Sequence, residues 1–306
     1  MTEKTIKLTT SNMPLVGFGT YLIKNEDVES VVREAFKTGY RHIDTAQGYF
    51  NEEGIGNAVK KSIDEGVLSR EDIFITTKLF PGNEQWGEAI KNFEMTLKAC
   101  EDSLLKLKLK YIDLYLIHAP FAKELRLEQW NALIQLQEKG KVKEIGVSNY
   151  NIKHLDEIKN AGLPLPIINQ IELHPWSQKY ELMQYMRENG IKAEAYSSLV
   201  PLSTWREKPG QESAKSEQMK ADSEKKDSIF KKFAEKYNVS EAQILLKWAV
   251  QQGIPVIPKS VDPNRMKQNI DLFSFTISDE DLNSLNKLDR GNGVAWAPGD
   301  PTKFEN

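Results

Sequence analysis

The chain has 306 residues, 40% of them hydrophobic and 28% charged, with 41 basic and 44 acidic side chains and a formal net charge of -3. This composition is ordinary for a globular protein, and the chain is too long for a small disulfide-rich scaffold. The nearly balanced charge gives no general attraction to nucleic acid or to an anionic membrane, so we predict neither as a partner.

The sequence carries few signals of cellular location. Cys100 is the only cysteine, so no internal disulfide can form, and the leucines and methionine around it favour packing over catalysis. The N-terminal stretch MTEKTIKLTT lacks the apolar core of a signal peptide, and no apolar run approaches the length of a membrane span. We therefore expect a cytoplasmic protein, and the ordinary amphipathic pattern of its helices predicts a monomer.

Short strand-like pieces begin the chain. TIKLTT and LVGFGT lie within Thr5–Thr20 and are joined by Ser11–Pro14, which predicts a β-hairpin leading into the first core strand. Apolar strands then recur along the chain. Counting Leu15–Thr20 as the first, eight are predicted, the others being His42–Asp44, Ile73–Lys78, Tyr111–Ile117, Glu144–Asn149, Ile167–Leu173, Lys192–Ser197 and Ile254–Ser260.

Each predicted strand is followed by a helix, and several of these helices end at a glycine. The predicted helices are Asp27–Thr38, one from Glu52, Gln85–Lys106, Leu127–Lys139, Ile152–Asn160, Lys179–Asn189, Ser240–Gln252, and two from Pro263 and Ser278. Continuous apolar strands between amphipathic helices indicate a parallel sheet covered on both faces. We predict an α/β protein: one domain, residues 1–306, forming a (β/α)8 TIM barrel with an N-terminal β-hairpin and C-terminal extra helices.

One segment, Ser203–Asp227, interrupts this alternation. It is rich in Lys, Glu and Ser and follows the seventh predicted strand, where loops lie on the catalytic face of a barrel. Its low apolar content means that it cannot fold around a core of its own. We predict a lid that a bound cofactor orders; the alternative is a solvated loop with no catalytic part.

Ionisable side chains lie at the ends of three predicted strands. Asp44 ends the second strand, with Tyr49 on the loop that follows, Lys78 ends the third, and His118 follows the fourth. Each also has an ordinary interpretation: a turn cap, a half-buried aromatic, a lysine reaching solvent and a satisfied core histidine. A barrel brings the carboxyl ends of its strands to one mouth, so the coincidence of all four favours a shared site.

These four groups have the chemistry of a proton donor. Tyrosine titrates near ~10, and a nearby Lys78 ammonium is expected to lower that pKa by favouring the phenolate. Asp44 is expected to keep Lys78 charged, and His118 to donate a hydrogen bond to an incoming oxygen. The chain shows no nucleophile paired with a base, which disfavours acyl transfer, and no spacing typical of metal ligands, so we predict no metal.

The segment IPKSVDPNRMKQN has the pattern of an anion site. No G-x-G-x-x-G motif follows a strand, which excludes a Rossmann dinucleotide site. Asp262 and Pro263 predict a helix start, with Lys259 and Ser260 ahead of it and Arg265 in its first turn. Two cations, a hydroxyl and free helix N–H groups would bind a phosphate; the alternative is a solvated basic helix start.

Seven motifs occur in order along the chain: HIDTAQGYFNEEGIGNA, ITTKLF, YLIHAP, GVSNY, NQIELHP, AYSSL and IPKSV. In these segments the chain resembles the aldo-keto reductase superfamily, including its aldose-reductase-like, prostaglandin F synthase-like and diketogluconate reductase-like members. The match covers nearly the whole sequence. The resemblance implies a catalytic tetrad of Asp44, Tyr49, Lys78 and His118, with Tyr49 as the general acid.

The resemblance also implies an NADPH/NADP+ site, and the phosphate pattern above agrees with it in favouring NADPH over NADH. The implied contacts run from nicotinamide to adenine: Tyr196 against the ring; Ser148, Asn149 and Gln170 at the carboxamide; Thr20 and Asp44 at the ribose; Ser197 and Leu199 along the pyrophosphate; Lys259, Ser260 and Arg265 at the 2′-phosphate; Gln268 and Asn269 near the adenine.

The chain departs from the family pattern where the substrate would bind. Ala119 follows the histidine where members often carry tryptophan, Tyr21 replaces a tryptophan after the first strand, and Gly48 precedes the tyrosine. Two of these changes remove bulk beside the reacting carbon. The predicted substrate contacts are His118 and the aromatic residues Tyr21, Phe50, Phe80, Phe121 and Trp296.

The favoured function is therefore NADPH-dependent reduction of a small-molecule aldehyde or ketone. A second hypothesis is a cofactor-binding regulatory or sensor subunit of the same fold with slow turnover. The resemblance allows this, since barrel proteins of this family also act as cofactor-bound regulatory subunits of membrane channels. A third, a metal-dependent barrel hydrolase, is disfavoured because no histidine or carboxylate cluster is present in the sequence. The sequence does not identify which aldehyde or ketone is the substrate.

Overall fold

The computed structural model describes residues 4–202, 228–291, 293, 295–296 and 300–303. The predicted lid, residues 203–227, lies outside the described residues. The first two strands form an antiparallel pair, and the strands after them form a parallel sheet in chain order. Their bounds are β1 Thr5–Lys7, β2 Asn12–Pro14, β3 Phe18–Gly19, β4 His42–Asp44, β5 Phe74–Leu79, β6 Ile112–Ile117, β7 Val142–Ser148, β8 Ile168–Glu172 and β9 Lys192–Tyr196.

The helices pack outside the parallel sheet, and most follow a strand as predicted. They are α1 Asn25–Thr38, α2 Glu52–Asp64, α3 Phe93–Leu107, α4 Arg126–Glu138, α5 Ile152–Asn160, α6 Tyr180–Glu188, α7 Ile229–Tyr237, α8 Glu241–Val250, α9 Pro263–Ile270 and α10 Asp279–Asn286. None of the helices in the described part of the chain has the length and apolarity that crossing a membrane requires.

The eighth predicted strand, Ile254–Ser260, closes the barrel through very few residues. Val256 bridges Val16 on one side and Ala195 on the other, both in parallel, so the sheet returns to its first strand. Pro255 and Pro258 have no N–H to donate, which limits this segment to isolated bridges rather than a full ladder. The ring of strands with helices outside confirms the predicted (β/α)8 barrel.

The prediction of a helix over Gln85–Lys106 is wrong for residues 85–92. A 3-10 turn, Glu84–Trp86, comes first, held by the Asn83 side chain, which accepts a hydrogen bond from Gln85 N. Gly87 then adopts a left-handed backbone with φ 75° that ends the turn. The helix itself, α3, begins only after Asn92, whose side chain accepts from Met95 N and caps it. Composition alone does not show these two local caps.

The hairpin closes the amino-terminal end of the barrel. Leu8 and Met13 pack against the barrel-interior side chains Phe74, Leu114, Leu116 and Ile168. The backbone N–H and hydroxyl of Thr10 both donate to the buried Glu144 carboxylate on β7. One end of the barrel is therefore filled, and the carboxyl ends of the strands remain for a site.

Cys100 lies buried on α3 among apolar side chains, which confirms its packing role. Burial raises the pKa of its thiol to about 12. Since the thiolate is the reactive form of cysteine, this thiol is inert at neutral pH.

Candidate active site

Four polar side chains meet at the carboxyl ends of β4, β5 and β6. Asp44 is the last residue of β4, Lys78 lies one residue before the end of β5, and His118 directly follows β6. Tyr49 ends a 3-10 turn that leaves β4. The Tyr49 and His118 ring centres lie 5.5 Å apart, edge to face, and Lys78 Nζ lies 5.1 Å from the Tyr49 ring centre. The structure thus brings together the four residues predicted as one site.

Lys78 is fully buried at the centre of this site. Its Nζ donates to Asp44 Oδ1 at 2.6 Å and to the Thr45 carbonyl at 2.9 Å. Burial alone would lower the pKa of Lys78, but the Asp44 charge and then Tyr49 outweigh it and hold that pKa above its ordinary value. Lys78 is therefore an ammonium, as expected for a lysine with a carboxylate beside it.

The pKa of the Tyr49 phenol differs from the value that the sequence led us to expect. Loss of hydration raises its pKa to about 12, and the Lys78 charge, which lowers it, offsets only part of this effect. The predicted net lowering of the Tyr49 pKa is therefore wrong, because a buried phenolate loses more hydration than one ammonium replaces. At neutral pH Tyr49 carries its proton.

His118 is neutral in this site. Burial, followed by repulsion from the Lys78 charge, lowers the pKa of its imidazole to about 3. Its Nδ1 has no hydrogen-bond partner within the described part of the chain. A neutral imidazole next to a phenol can donate one hydrogen bond to an oxygen placed between them without adding charge.

The residues implied at the carboxamide form one hydrogen-bonded group. Ser148 Oγ donates to the Gln170 carbonyl at 2.8 Å, and Asn149 Nδ2 donates to the His118 carbonyl at 2.9 Å. Tyr196 donates from its hydroxyl to Asn149 Oδ1 at 2.7 Å. Amide groups beside an aromatic face suit the carboxamide and ring of a nicotinamide, so these residues fit that group.

Two of the residues implied near the ribose and pyrophosphate directly follow barrel strands, Thr20 after β3 and Ser197 after β9. Thr20 is fully buried, and its hydroxyl donates to the Asp44 carbonyl at 2.9 Å, so its hydrogen is already engaged. Ser197 has a left-handed backbone with φ 54° directly after β9, and Leu199 is half-buried two residues later.

Glu194 is a site residue that the sequence analysis misses. It lies in β9, fully buried, and its Oε2 accepts a hydrogen bond of 2.8 Å from Gln170 Nε2. The same Nε2 donates to Asp44 Oδ2 at 2.8 Å. A signal was available: Glu194 is a charged residue between two alanines in a predicted barrel strand, where carboxyl groups are rare unless paired.

The predicted phosphate site is more crowded than the sequence suggests. Asp262 Oδ1 accepts from Asn264 N at 2.8 Å and from Arg265 N at 3.0 Å. These first N–H groups of α9 are therefore already bonded, contrary to the expectation that they would be free for a phosphate. The Ser260 hydroxyl also accepts from Asp262 N at 3.1 Å. Lys259, which precedes this helix start, is exposed.

The side chains near this phosphate site differ in exposure. The Arg265 side chain is 72% exposed, and its Nε lies 4.0 Å from Asp262 Oδ2. On the same helix, Gln268 is exposed and Asn269 is buried. The residues therefore fit a phosphate through exposed charge rather than through an enclosed cradle of donors.

Aromatic rings lie next to Tyr49 and His118. Tyr21 lies 5.0 Å from Tyr49, Trp296 lies 6.3 Å from His118, and Phe121 lies 5.8 Å from Trp296, all measured between ring centres. Four of the five predicted aromatic residues thus belong to one wall, because Phe80 joins it through Trp86. Phe50 differs, since it is 84% exposed.

Trp86 is an aromatic wall residue that the sequence analysis misses, because it assigned this position to a helix. Its ring centre lies 5.2 Å from that of Phe121 and 6.3 Å from that of Phe80, nearly parallel to the latter at 13°. The turn signals Asn83 and Gly87 on either side of it could have placed it on a loop.

Comparison with known proteins gives consistent results for the whole chain. The profile of the Aldo/keto reductase family matches residues 15–290. The chain is 39% identical to the glyoxal reductase of Bacillus subtilis (strain 168), over 97% of this chain and 96% of that protein. It is 37% identical to the methylglyoxal reductase DkgA of Escherichia coli (strain K12), over 98% and 97% of the two chains.

Solved structures similar to this chain are also aldo-keto reductases. MGS-M4, an aldo-keto reductase enzyme from a Medee basin deep-sea metagenome library, is 38% identical, with a TM-score of 0.81 over 94% of this chain and 96% of that one. The Bombyx mori aldo-keto reductase AKR2E4, solved in complex with NADP, is 32% identical, with a TM-score of 0.81 over 94% and 93%. The chain therefore belongs to the aldo/keto reductase family.

Proposed function

We propose that this protein reduces small aldehydes or ketones to alcohols with NADPH, with Tyr49 as the general acid. The observation that carries the proposal is the meeting of Tyr49, His118 and the buried Asp44–Lys78 pair at the mouth of the barrel. Such a group has a proton to give, a second hydrogen-bond donor and a fixed positive charge, but no nucleophile paired with an activating base.

The protein's own residues handle the oxygen of the substrate. When bound, NADPH supplies the hydride for the carbonyl carbon. His118 and Tyr49 hold the carbonyl oxygen, and Tyr49 transfers its hydroxyl proton to that oxygen as negative charge develops there. The raised pKa of Tyr49 keeps it protonated before the reaction, and the Lys78 ammonium stabilises the phenolate left behind. Asp44 keeps Lys78 charged through this change.

The cofactor residues implied by the family resemblance support NADPH. The Asn149 amide is hydrogen-bonded to Tyr196, which suits a nicotinamide, and Lys259 and Arg265 supply positive charge for a 2′-phosphate. The Bombyx mori relative was solved with NADP, which agrees with this assignment.

The relatives named above as glyoxal and methylglyoxal reductases suggest a compact dicarbonyl substrate. Ala119, next to the catalytic histidine, and Gly48, next to the tyrosine, leave little side-chain bulk at the reacting carbon. A second carbonyl also makes the reacting carbon more electrophilic. We therefore propose 2-oxoaldehydes as the substrate class.

NADPH consumption with a panel of glyoxal, methylglyoxal, a simple aldehyde, a ketone and an aldose tests this function. Tyr49→Phe should lower kcat by roughly 10²- to 10⁴-fold, because the proton donor is lost. NADPH affinity should stay unchanged because the ring remains. Tyr185→Phe, which removes a hydroxyl bound to Asp156 on the outer surface, is the matched control. Turnover by Tyr49→Phe close to wild type would overturn the role.

A further inference from the structure

Glu194 is a buried carboxyl group that the proposed reaction does not use. It lies in the middle of β9, and its side chain is fully enclosed. The register of β8 and β9 places it directly opposite Gln170. Because side chains alternate along a strand, Glu194 shares its face of β9 with Tyr196. It therefore lies beneath the surface on which the nicotinamide is proposed to rest.

The Gln170 side chain joins Glu194 to the catalytic ion pair. Its Nε2 donates to Asp44 Oδ2 and to Glu194 Oε2, both at 2.8 Å. A primary amide has two N–H hydrogens, so these bonds use both of them. The carbonyl Oε1 is then the one polar atom of the side chain left for a ligand. Without Glu194, one buried N–H would lose its acceptor and the amide could rotate about its bond to Asp44.

The charge state of Glu194 allows two carboxyl groups to share this small space. Its Oε1 lies 3.9 Å from His42 Nδ1, and neither atom has a hydrogen-bond partner among the residues described. Burial, and then the Asp44 charge, raise the pKa of Glu194 to about 8, so it is protonated at neutral pH. Since Oε2 accepts from Gln170, the proton lies on Oε1, and Asp44 and Lys78 remain a balanced pair.

We propose that Glu194 is a positioning residue for the cofactor: together with Asp44 it fixes the Gln170 NH2 group and so directs the Gln170 carbonyl oxygen at the nicotinamide carboxamide. This inference rests on the proposed function, because it takes Gln170 as a ligand of the carboxamide. The interaction it predicts is specific: an N–H of the carboxamide donates to Gln170 Oε1.

Equilibrium binding of two oxidised dinucleotides tests the proposal by protein fluorescence. NADP+ carries the carboxamide NH2, whereas its 3-acetylpyridine analogue has a methyl group there and cannot donate to Gln170. Wild type should prefer NADP+. Glu194→Met removes the acceptor at similar volume and should weaken NADP+ roughly tenfold, with the analogue changed by less than about twofold. Glu194→Gln keeps a carbonyl acceptor and should keep the preference.

Glu144→Met is the matched control, because Glu144 is also a buried strand glutamate but accepts from Thr10 at the closed end of the barrel. It should leave both dissociation constants unchanged. If Glu194→Met does not fold, Glu194→Val removes the same acceptor with a residue suited to a strand.

Three outcomes would overturn the positioning role: no preference in wild type, equal weakening of both dinucleotides by Glu194→Met, or the same selective loss in Glu144→Met. If wild type binds neither dinucleotide, the proposed function itself fails, and this inference fails with it. The two failures are therefore distinguishable in one set of titrations.

Discussion

The nicotinamide end and the adenosine end of the proposed cofactor site are built differently. At the nicotinamide end, Lys78, Asp44 and Gln170 are enclosed and joined by hydrogen bonds of 2.6 and 2.8 Å. At the adenosine end, Lys259 and Arg265 are exposed. Charges interact strongly where water is excluded and weakly where it screens them. Changes at the first end should therefore alter stability and chemistry, and changes at the second only affinity.

The largest expected difference comes from making the same substitution at both ends. Lys78→Met should lower the free energy of unfolding by about 3–5 kcal/mol, because it leaves the Asp44 carboxylate buried without its partner. Lys259→Met should change it by less than about 1 kcal/mol, since that lysine is exposed. Denaturant unfolding of both variants measures the contrast. Equal losses would show that burial does not distinguish the two ends.

The next effect is a pH dependence of stability, which arises from a buried histidine in the barrel interior below the nicotinamide end. Burial, and then the Lys78 charge, lower the pKa of His42 from 6.5 to about 3 in the folded protein. Between these values the unfolded chain binds a proton that the folded protein does not, so the contribution of His42 to stability falls as the pH drops below 6.5. From there to about pH 5 the loss is roughly 2 kcal/mol. Glu194, whose pKa is raised to about 8, contributes in the opposite direction, so the effect of His42 is read as the difference between wild type and variant.

His42→Asn removes this titrating group and should remove that share of the loss, while the similar contribution of His118 remains. Unfolding free energies of wild type and variant at neutral and mildly acidic pH provide the measurement. A variant with the full wild-type pH slope would show that His42 is not the source.

At the adenosine end, the larger effect is expected at Arg265. Arg265→Ala should weaken NADP+ binding by roughly 10- to 100-fold, because a charge-assisted hydrogen bond to the 2′-phosphate is lost. NAD+, which lacks that phosphate, should bind as before. Lys267→Ala, an exposed lysine on the same helix, is the control for general charge. Similar losses for both dinucleotides would mean that Arg265 contacts something other than the 2′-phosphate.

The smallest effect is expected at Asp262, whose Oδ2 lies 4.0 Å from Arg265 Nε. Asp262→Asn keeps a good helix cap but removes the negative charge that would repel a phosphate. NADP+ binding should tighten by a few-fold, roughly 2 to 5, and the gain should shrink as salt is added. Titrations of NADP+ at low and high salt check this prediction. An unchanged dissociation constant at low salt would contradict it.

Local sequence patterns predict most of the fold, and their failures have local causes. The alternation of apolar strands and amphipathic helices can be predicted because the spacing of apolar residues in each element depends on that element's own sequence. The segment Ile254–Ser260 is apolar enough to predict a strand, yet its prolines have no N–H to donate, and the segment joins its neighbours through isolated bridges at Val256 instead of a full ladder. Asn83 and Asn92 both cap a turn or a helix, and composition does not show at which of the two α3 begins.

The sequence by itself determined which polar side chains reach the proposed site, because Asp44, Lys78 and His118 lie at or next to the ends of their own strands. The tertiary structure decided their partners and ionisation. Desolvation is a sum over residues far apart in the chain, so the raised pKa of Tyr49 could not be read from its neighbours. The contact of Gln170 with both Asp44 and Glu194 likewise exists because the closed barrel turns β4, β8 and β9 toward one interior.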